Sequence, residues 1–555
     1  MLSLVHQLIE YQAQSKPERD ALLFKGTSLN YADLWLQTQL LASALLQQQL
    51  KPGTRVAIYL PKRPEAVLAM FAASAAACVF VPINPLLKPK QVEHILLDCD
   101  VECLITSADR AKQLAPELES CPALRLQLLV DSPKGSAHDN KENVHLWQSF
   151  LATDITSPLP SATESDIAAI LYTSGSTGKP KGVVLSHRNM MCGAESVALY
   201  LSNTETDRLL AVLPFSFDYG LSQLTTAFFA GASVVLIEYL LPRDVIRAVE
   251  RYQITGLAAV PPLWNQLAAL PWPEAAKQSL RYITNSGGAV PPTLSERLHH
   301  TLPETEIFLM YGLTEAFRST YLSPAELSHR PTSIGKAIPN AEVLVLRPDG
   351  SICDDNEAGE LVHRGPLVAQ GYWNAPEKTA KRFKPFAPDA ADTSAPEIAV
   401  WSGDRVYRDP DGYLYFVSRT DEMIKTSGYR VSPAEVEDVL YQSARVKDAV
   451  VLGLPHESLG QAIAAVVTLS SSHSSPSQEK TAVEKNNEQW IENTKIEIRR
   501  HCQQQLPNYM IPASVIIVDE LPKNPNGKYD RTNLHQEYIE TFSENRIDSD
   551  GHQQT

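Results

Sequence analysis

The chain has 555 residues, 44% of them hydrophobic and 20% charged, and this ordinary globular composition excludes a wholly disordered protein. The 49 Lys and Arg residues against 64 Asp and Glu residues give a formal net charge of −15. Such an acidic surface repels phosphate backbones, which argues against broad nucleic-acid binding but leaves room for a small basic pocket that binds a nucleotide.

The N-terminal residues 1–10 form a short amphipathic segment without a basic stretch or a cleavage site, so we predict no signal peptide. No apolar run reaches the roughly 18 to 20 residues that span a bilayer. The most apolar segment, residues 66–82, is instead predicted to form a buried helix running into a strand. The seven cysteines include no CxxC pair, which favours a reduced, cytoplasmic protein.

Strand and helix patterns alternate through the first half of the chain. Strands separated by helices of about 10 to 15 residues predict βαβ units and a parallel sheet. The predicted strands are 56–60, 79–83, 103–105, 233–237 and 256–260, and the predicted helices are 65–78, a helix containing 92–97, and 244–252.

The pattern changes after residue 340. Short apolar runs at 343–346, 359–365 and 412–417 alternate with turn signals such as Arg347-Pro348-Asp349-Gly350. These residues predict a smaller β-rich unit that follows the α/β body.

A loop rich in glycine and hydroxyl groups follows the apolar run 167–171. Glycines let backbone N–H groups approach a phosphate closely, hydroxyls add donors, and Lys179 and Lys181 add positive charge. The loop is not a Walker A motif, because only two residues separate its glycines and Pro180 follows Lys179; it also lacks the GxSxG elbow of serine hydrolases. The candidate phosphate-binding residues are Thr173, Ser174, Gly175, Ser176, Thr177, Gly178 and Lys179.

This loop resembles the signature of the AMP-forming adenylating enzymes, which include acyl- and aryl-CoA ligases, luciferases and adenylation domains of peptide synthetases. The resemblance covers nearly the whole chain up to Lys528, with the other motifs in the expected order. It implies an α/β fold with a large composite N-terminal domain, residues 1–420, made of two α/β subdomains and a small β-barrel-like subdomain. A small mobile α+β domain, residues 421–555, would follow.

The segment Tyr311-Gly312-Leu313-Thr314-Glu315 resembles the second core motif of this family. The resemblance implies that Tyr311 stacks on adenine, that Thr314 contacts the α-phosphate or the acyl carboxylate, and that Glu315 is a ligand of Mg²⁺. A hard cation does prefer carboxylate and phosphate oxygens, and a flat aromatic ring suits a purine face. Upstream, the segment that would line the adenine site contains Gly287, Gly288 and Ala289.

Three later motifs complete the resemblance. Asp404 would accept hydrogen bonds from both ribose hydroxyls, and Arg419 would contact the ribose or a phosphate. Asp421 would be the hinge between the two domains. Lys528, in a closing motif, would catalyse adenylation by neutralising charge on the carboxylate and the α-phosphate.

The implied reaction has two steps, and neither needs a nucleophilic side chain. A carboxylate attacks the α-phosphate of ATP to give an acyl-adenylate and pyrophosphate, and a thiol then attacks the acyl carbon and releases AMP. The expected cofactors are ATP, Mg²⁺ and a thiol, which belongs either to CoA or to phosphopantetheine. No carrier signature is visible, so the thiol would come from CoA or from a separate acyl or peptidyl carrier protein.

The identity of the acid stays open. Phe217 stands where many acyl- and aryl-CoA ligases carry His, and Phe217-Asp218 resembles the Phe-Asp pair of amino-acid adenylation domains. There the Asp pairs with the α-ammonium of the substrate, as in stand-alone ligases that load proline onto a carrier. The same string resembles acyl-CoA ligases of bacterial exopolysaccharide and sorting gene clusters, and Asp218 could equally be structural. A non-catalytic relative and a luciferase-like oxidative enzyme are the remote alternatives.

Overall fold

A computed structural model describes most of the chain, and it folds as two units. The first unit comprises Met1–Val290, Glu296–Leu344 and Val362–Ser402, and the second comprises Pro291–Ser295, Val345–Leu361 and Gly403–Thr555. The described residues are 2–87, 89–131, 143–151, 154–155, 158–173, 180–288, 290–386, 397–419, 424–426, 429–431, 433–456, 459–470, 483–506 and 508–542.

The helices, in chain order, are Gln7–Ser15 (α1), Tyr31–Gln47 (α2), Pro64–Ala75 (α3), Pro89–Asp98 (α4), Ala108–Gln113 (α5), Ala115–Leu118 (α6), Trp147–Phe150 (α7), His187–Tyr200 (α8), Asp218–Ala230 (α9), Pro242–Tyr252 (α10), Pro261–Ala268 (α11), Glu274–Ser279 (α12), Pro292–Thr301 (α13), Pro376–Arg382 (α14), Pro433–Tyr441 (α15), Val483–Gln505 (α16) and Arg531–Tyr538 (α17). Short 3₁₀ turns lie at Thr314–Ala316, Pro324–Glu326 and Asn508–Met510.

The strands, in chain order, are Asp20–Phe24 (β1), Thr27–Asn30 (β2), Arg55–Tyr59 (β3), Val79–Pro82 (β4), Cys103–Thr106 (β5), Leu126–Leu129 (β6), Val144–Leu146 (β7), Ile167–Thr173 (β8), Lys181–Ser186 (β9), Arg208–Ala211 (β10), Ser233–Leu236 (β11), Gly256–Ala259 (β12), Tyr282–Asn285 (β13), Glu306–Tyr311 (β14), Thr320–Leu322 (β15), Ser333–Ala337 (β16), Glu342–Leu346 (β17), Gly359–Arg364 (β18), Gly371–Tyr372 (β19), Phe383–Phe386 (β20), Glu397–Arg408 (β21), Leu414–Arg419 (β22), Ile424–Thr426 (β23), Tyr429–Val431 (β24), Val446–His456 (β25), Gly460–Leu469 (β26) and Ser514–Ile517 (β27).

Two sheets organise the first unit. One has the strand order β19-β9-β8-β4-β3-β5-β6-β7, with a parallel centre around β3. In the other, β10, β11, β12, β13 and β14 are parallel, in the order β14-β13-β12-β10-β11. Both arrangements confirm the predicted α/β class, and the segment 66–82 forms α3 and β4 as expected.

Local sequence explains where the key helices begin and end. All of α3 from Ala66 to Ala75 is buried, which fits a helix that is apolar on every side and begins with proline in its first turn. Helix α8 begins with a capping box in which Ser186 and Asn189 exchange hydrogen bonds. Helix α9 ends at Gly231, whose φ of +73° is the left-handed conformation that favours glycine.

The second unit contains a separate antiparallel sheet. Its order is β24-β23-β26-β25, and β27 lies parallel to β26. Apolar residues of these strands pack against α15 and α16 around a core that includes Val436, Val451 and Ile498. The predicted β-rich region after residue 340 is confirmed by β17, β18 and β22. Among the described helices, none combines the length and the apolar character that a membrane crossing needs.

Candidate active site

The candidate site of the first unit lies where parallel strands end. Strand β14 ends at Tyr311, β13 ends just before Ser286, and β10 leads through residues 212–217 to the first residue of α9, Asp218. Parallel neighbours in one sheet bring their carboxyl ends to the same edge, where open α/β sheets bind ligands. The fold therefore gathers three segments that are far apart in the sequence.

The segment after β14 is a tight turn. Leu313 leads into the 3₁₀ turn Thr314–Ala316, and Phe317 follows with a φ of +55°, which is strained for a bulky residue. The amide of Ser319 donates to the Tyr311 carbonyl oxygen at 3.1 Å and closes the turn. This backbone turns the Glu315 side chain inward, where it is only 7% exposed.

Glu315 belongs to a three-residue cluster with Lys181 and Tyr372. The Lys181 Nζ donates to Glu315 Oε1 at 3.0 Å and to the Tyr372 hydroxyl at 2.6 Å, and that hydroxyl donates to Glu315 Oε1 at 2.6 Å. The ammonium also lies 4.0 Å from the centroid of the Tyr372 ring. We call these three residues the Glu315 cluster.

Charge in the Glu315 cluster is balanced in spite of burial. Burial alone would raise the pKa of Glu315, but the Lys181 ammonium and hydrogen bonds from Tyr372 and Lys181 outweigh it, so the pKa lies below its usual value. Burial, reinforced by the charge of Glu315, raises the pKa of the Tyr372 hydroxyl. The cluster therefore holds a carboxylate in its charged form inside the protein.

Sheet register brings the members of the cluster together. Lys181 is the first residue of β9 and pairs with Thr173, the last residue of β8. Tyr372 on β19 pairs with Val183 on β9. Sequence reasoning assigned Lys181 only a general positive charge, and it missed Tyr372. Tyr372 reaches Glu315 through a long-range strand pairing, which no local motif indicates.

Asp218 and Thr314 also meet. The Thr314 hydroxyl donates to Asp218 Oδ1 at 3.0 Å, and Asp218 is 4% exposed at the start of α9. Phe217, the other predicted substrate residue, is buried beside it and makes an edge-on contact with the Tyr219 ring at 6.1 Å. The structure thus joins the predicted acyl segment to the predicted adenylate segment.

Arg318, which sequence reasoning missed, lies in the same region. Its Nη1 donates to the Ser286 hydroxyl at 3.2 Å, and its guanidinium carbon lies 4.8 Å from the centroid of the Tyr219 ring. A Cβ placed on Gly312 would lie 3.1 Å from the Arg318 Cα, so a larger residue there would crowd the Arg318 backbone. The sequence signal that could have indicated Arg318 is an arginine inside a stretch of mostly small and apolar residues.

Three predicted residues lie in the second unit. Asp404 is buried on β21 directly after Gly403, and it is paired in register with Arg419 on β22. Lys528 lies in a turn where its amide donates to Asn524 Oδ1 at 3.1 Å and the Asn524 amide donates to the Lys528 carbonyl oxygen at 2.7 Å. The structure therefore brings together the two predicted ribose-contacting positions.

Some predicted residues lie outside the described part of the chain. Gly287 and Gly288 are described, in the turn after β13, and Gly287 has a φ of +82°. Thr173 ends β8, and its buried hydroxyl has no hydrogen-bond partner among the described residues. The undescribed ones are Ser174, Gly175, Ser176, Thr177, Gly178, Lys179, Ala289 and Asp421.

The donor set fits a magnesium ion held jointly by protein and substrate. Within the described residues, no group of three or more His, Cys, Asp or Glu side chains could hold a metal by itself. Mg²⁺ is commonly bound by one or two carboxylates together with substrate phosphates, and Glu315 would supply one such carboxylate.

A separate small cavity of about 60 Å³ lies near the acyl segment. Its lining includes Pro214, Ser216, Lys62 and Glu238, but neither Asp218 nor any member of the Glu315 cluster. Burial lowers the pKa of Lys62 to about 8, partly countered by Glu238, and its ammonium donates to the Val212 carbonyl oxygen at 2.9 Å. This half-buried ammonium therefore has both an acceptor and a nearby carboxylate.

Comparisons with known proteins agree with this geometry. A family model described as AMP-binding enzyme matches residues 9–373, and one described as AMP-binding enzyme C-terminal domain matches residues 435–528. Feruloyl-CoA synthase from an Amycolatopsis species is 30% identical, and the match covers 93% of this chain and 95% of that protein.

Two further comparisons concern a much longer protein and a solved structure. A linear gramicidin synthase from Brevibacillus parabrevis is 30% identical over 96% of this chain, but the match spans only 6% of that protein. The structure of o-succinylbenzoate CoA synthetase from Bacillus subtilis with ATP and magnesium ion superposes with a TM-score of 0.77 at 27% identity, covering 95% of this chain and 98% of that one.

Proposed function

The chain belongs to the AMP-binding enzyme family, and from that premise we propose that it is an AMP-forming ligase that joins a carboxylic acid to a thiol. The observation that carries the proposal is the Glu315 cluster, a buried carboxylate kept charged one residue after Thr314 and four after Tyr311. A full-length relative named feruloyl-CoA synthase supports CoA as the acceptor.

In the first step, a carboxylate oxygen of the acid attacks the α-phosphorus of ATP. The bond from that phosphorus to the bridging oxygen breaks, and pyrophosphate leaves with the electron pair. Tyr311 stacks on adenine, Asp404 accepts from the ribose hydroxyls, and Thr314 donates to the α-phosphate or to the acid. Glu315 would hold Mg²⁺, which offsets repulsion between the two anions, and Lys528 neutralises charge as it develops.

In the second step, the sulfur of the thiol attacks the acyl carbon. The bond from that carbon to the AMP oxygen breaks, AMP leaves, and the thiol proton passes to solvent. We propose a domain boundary after residue 420, with Asp421 as the hinge that withdraws Lys528 between the steps. The residues 174–179 would contribute backbone and hydroxyl donors to the phosphates, with Lys179 adding charge.

A second candidate is an amino-acid ligase that loads a separate carrier protein. The observation in its favour is the buried Asp218 carboxylate, which could pair with a substrate α-ammonium. Phe217 would then shape the side-chain pocket. The thiol in this case would be the phosphopantetheine of the carrier.

ATP–pyrophosphate exchange across a panel of carboxylic acids tests the first step. Lys528→Ala should abolish most of this exchange, while thioester formation from supplied acyl-adenylate survives, because the lysine acts only in adenylation. Lys523→Ala, an exposed lysine of the same turn, is the matched control and should behave as the wild type. If Lys528→Ala leaves both half-reactions intact, its assignment is wrong.

Release of free AMP in the presence of CoA tests the acceptor. AMP formed with CoA alone supports the CoA ligase. AMP formed only with a phosphopantetheinylated carrier supports the second candidate.

A reducing, cytoplasmic setting is part of the proposal. All seven cysteines are free, and six of them are buried. Burial raises the pKa of Cys78 and Cys99 to about 12, so these thiols are poor nucleophiles at neutral pH.

A further inference from the structure

Arg318 is a buried cation whose bonding is incomplete. It is 1% exposed, and its Nε and Nη2 groups have no hydrogen-bond partner among the described residues. The hydroxyl of Ser286 and the face of Tyr219 are its neighbours, and no described aspartate or glutamate forms an ion pair with it. An arginine of this kind normally has a bidentate carboxylate or phosphate partner when it is removed from water.

Three cations of the first unit that are only partly buried have compensating partners among the described residues. Lys181 contacts the Glu315 carboxylate and the Tyr372 hydroxyl, and Arg281 donates to Asp207 at 2.8 Å. Lys62 donates to a backbone carbonyl beside Glu238. Arg318 differs because its side chain donates to a neutral hydroxyl and forms no ion pair with a carboxylate of the described residues.

Arg318 contacts Tyr219, which adjoins the predicted acid segment, and Ser286, which begins the turn expected to line the adenine site. Tyr219 directly follows the predicted substrate residue Asp218, and the Tyr219 hydroxyl is fixed by a 2.5 Å hydrogen bond with Thr284 of β13. Ser286 begins the turn after β13. Among the described residues, the side-chain hydrogen bonds of Arg318 and those of the Glu315 cluster have no partner in common.

We propose that Arg318 forms a cationic subsite for a second carboxylate on the acid substrate, distinct from the carboxylate that is adenylated. This inference rests on the proposed function and names its substrate class. The second carboxylate accepts from Nε and Nη2, the two donors left open, in the planar paired geometry that suits a guanidinium. A substrate with an apolar end leaves those donors buried and unpaired, and it is therefore disfavoured.

Matched pairs of acids test the subsite. The probes are glutarate with its monoamide, adipate with its monoamide, phthalate with phthalamate, and aspartate with asparagine, measured by ATP–pyrophosphate exchange. Straight-chain monocarboxylic acids, benzoate and proline complete the panel. In the wild type, the dicarboxylate of at least one pair should exceed its amide by about 10- to 100-fold in kcat/KM, as the pairing of a charged hydrogen bond predicts.

Variants at position 318 then assign the preference. Arg318→Met should abolish it by lowering kcat/KM for the dicarboxylate alone, and Arg318→Lys should restore part of it. Arg297→Met, an exposed arginine of the same unit, is the matched control and should keep the full preference. Thermal unfolding of each variant verifies folding. If Arg318→Met does not fold, the preference measured in Arg318→Lys takes its place, and a wild type without the preference contradicts the inference in either case.

Three results would overturn the inference. One is a wild type that prefers monocarboxylic acids or amides. Another is a preference that survives in Arg318→Met. The third is an equal fall in kcat/KM for the dicarboxylate and its amide in Arg318→Met. That result would mean that Arg318 binds the reacting carboxylate or only stabilises the fold. If none of the tested acids supports ATP–pyrophosphate exchange, the proposed function itself is contradicted, and this inference is contradicted with it.

Discussion

Two buried charges three residues apart are treated differently by the same fold. In the Glu315 cluster, Lys181 and Tyr372 saturate one carboxylate oxygen before any ligand is bound. Around Arg318, one hydroxyl and an aromatic face are the neighbours, and two of its donors have no partner within the part of the chain that the structure describes. The difference suggests that the Glu315 cluster is preorganised by the protein, whereas Arg318 depends on a ligand to complete its bonding.

The comparison has an energetic side. A buried ion pair is strongly destabilised when one partner is removed, because the other charge is left without compensation. A buried charge with no counter-ion already carries that cost in the free protein, so removing it relieves strain. The two regions should therefore respond to neutralising substitutions with opposite signs.

Lys181→Met should cause the largest change in the free energy of unfolding. It leaves the Glu315 carboxylate buried without its cation, and we expect the free energy of unfolding to fall by about 3–5 kcal/mol. Chemical denaturation at neutral pH measures this change. Lys378→Met, an exposed lysine on α14, is the control and should unfold as the wild type does.

The pH dependence of that loss checks its cause. In the wild type the folded pKa of Glu315 lies below the ordinary 4.5, so its stabilisation is present above pH 4.5 and disappears as the pH falls through the folded pKa. Without Lys181, burial raises this pKa, and protonation then relieves the unpaired charge. The deficit of Lys181→Met should narrow as the pH falls toward 4.5 and below, and a deficit independent of pH would contradict the ion-pair explanation.

Glu315→Gln should lower adenylation by about 10²–10³-fold, the usual effect of removing one preorganised electrostatic group. The loss should be the same for every acid, because the carboxylate acts on the phosphates and not on the acyl chain. ATP–pyrophosphate exchange measures it, with Glu195→Gln on the exposed face of α8 as the control. A loss of exchange confined to dicarboxylates would instead indicate that Glu315 and Arg318 belong to one site.

Sequence reasoning anticipated these two regions unequally. The motif Tyr311 to Glu315 and its carboxylate are recognisable as a local pattern in the sequence, although strand β14, which ends at Tyr311, is not among the predicted strands. Tyr372 and Lys181 depend on the pairing of β9 with β8 and β19, which is a long-range register. The incomplete bonding of Arg318 is visible only in three dimensions, because it depends on which partners are missing around a buried side chain.

Asp218→Asn should have a smaller effect, about a tenfold loss or less in kcat/KM, equal for acids with and without an α-amino group. An amide oxygen can still accept from the Thr314 hydroxyl, so the contact seen at 3.0 Å is kept while the charge is removed. Exchange assays with matched pairs such as alanine and propionate measure this. A loss confined to the amino acids would favour the second candidate function, with Asp218 on the substrate ammonium.

Arg318→Met should cause the smallest change in the free energy of unfolding, and the sign of that change distinguishes the two regions. The substitution replaces a buried cation with unpaired donors by an apolar chain of similar length, so unfolding should stay unchanged or become harder by about 1 kcal/mol. Denaturation of the ligand-free protein measures this directly. A loss above about 2 kcal/mol would mean that the folded protein already compensates Arg318, as it compensates Glu315, and the contrast between the two regions would disappear. Stability retained together with a lost preference for dicarboxylates would place the missing partner of Arg318 on the substrate.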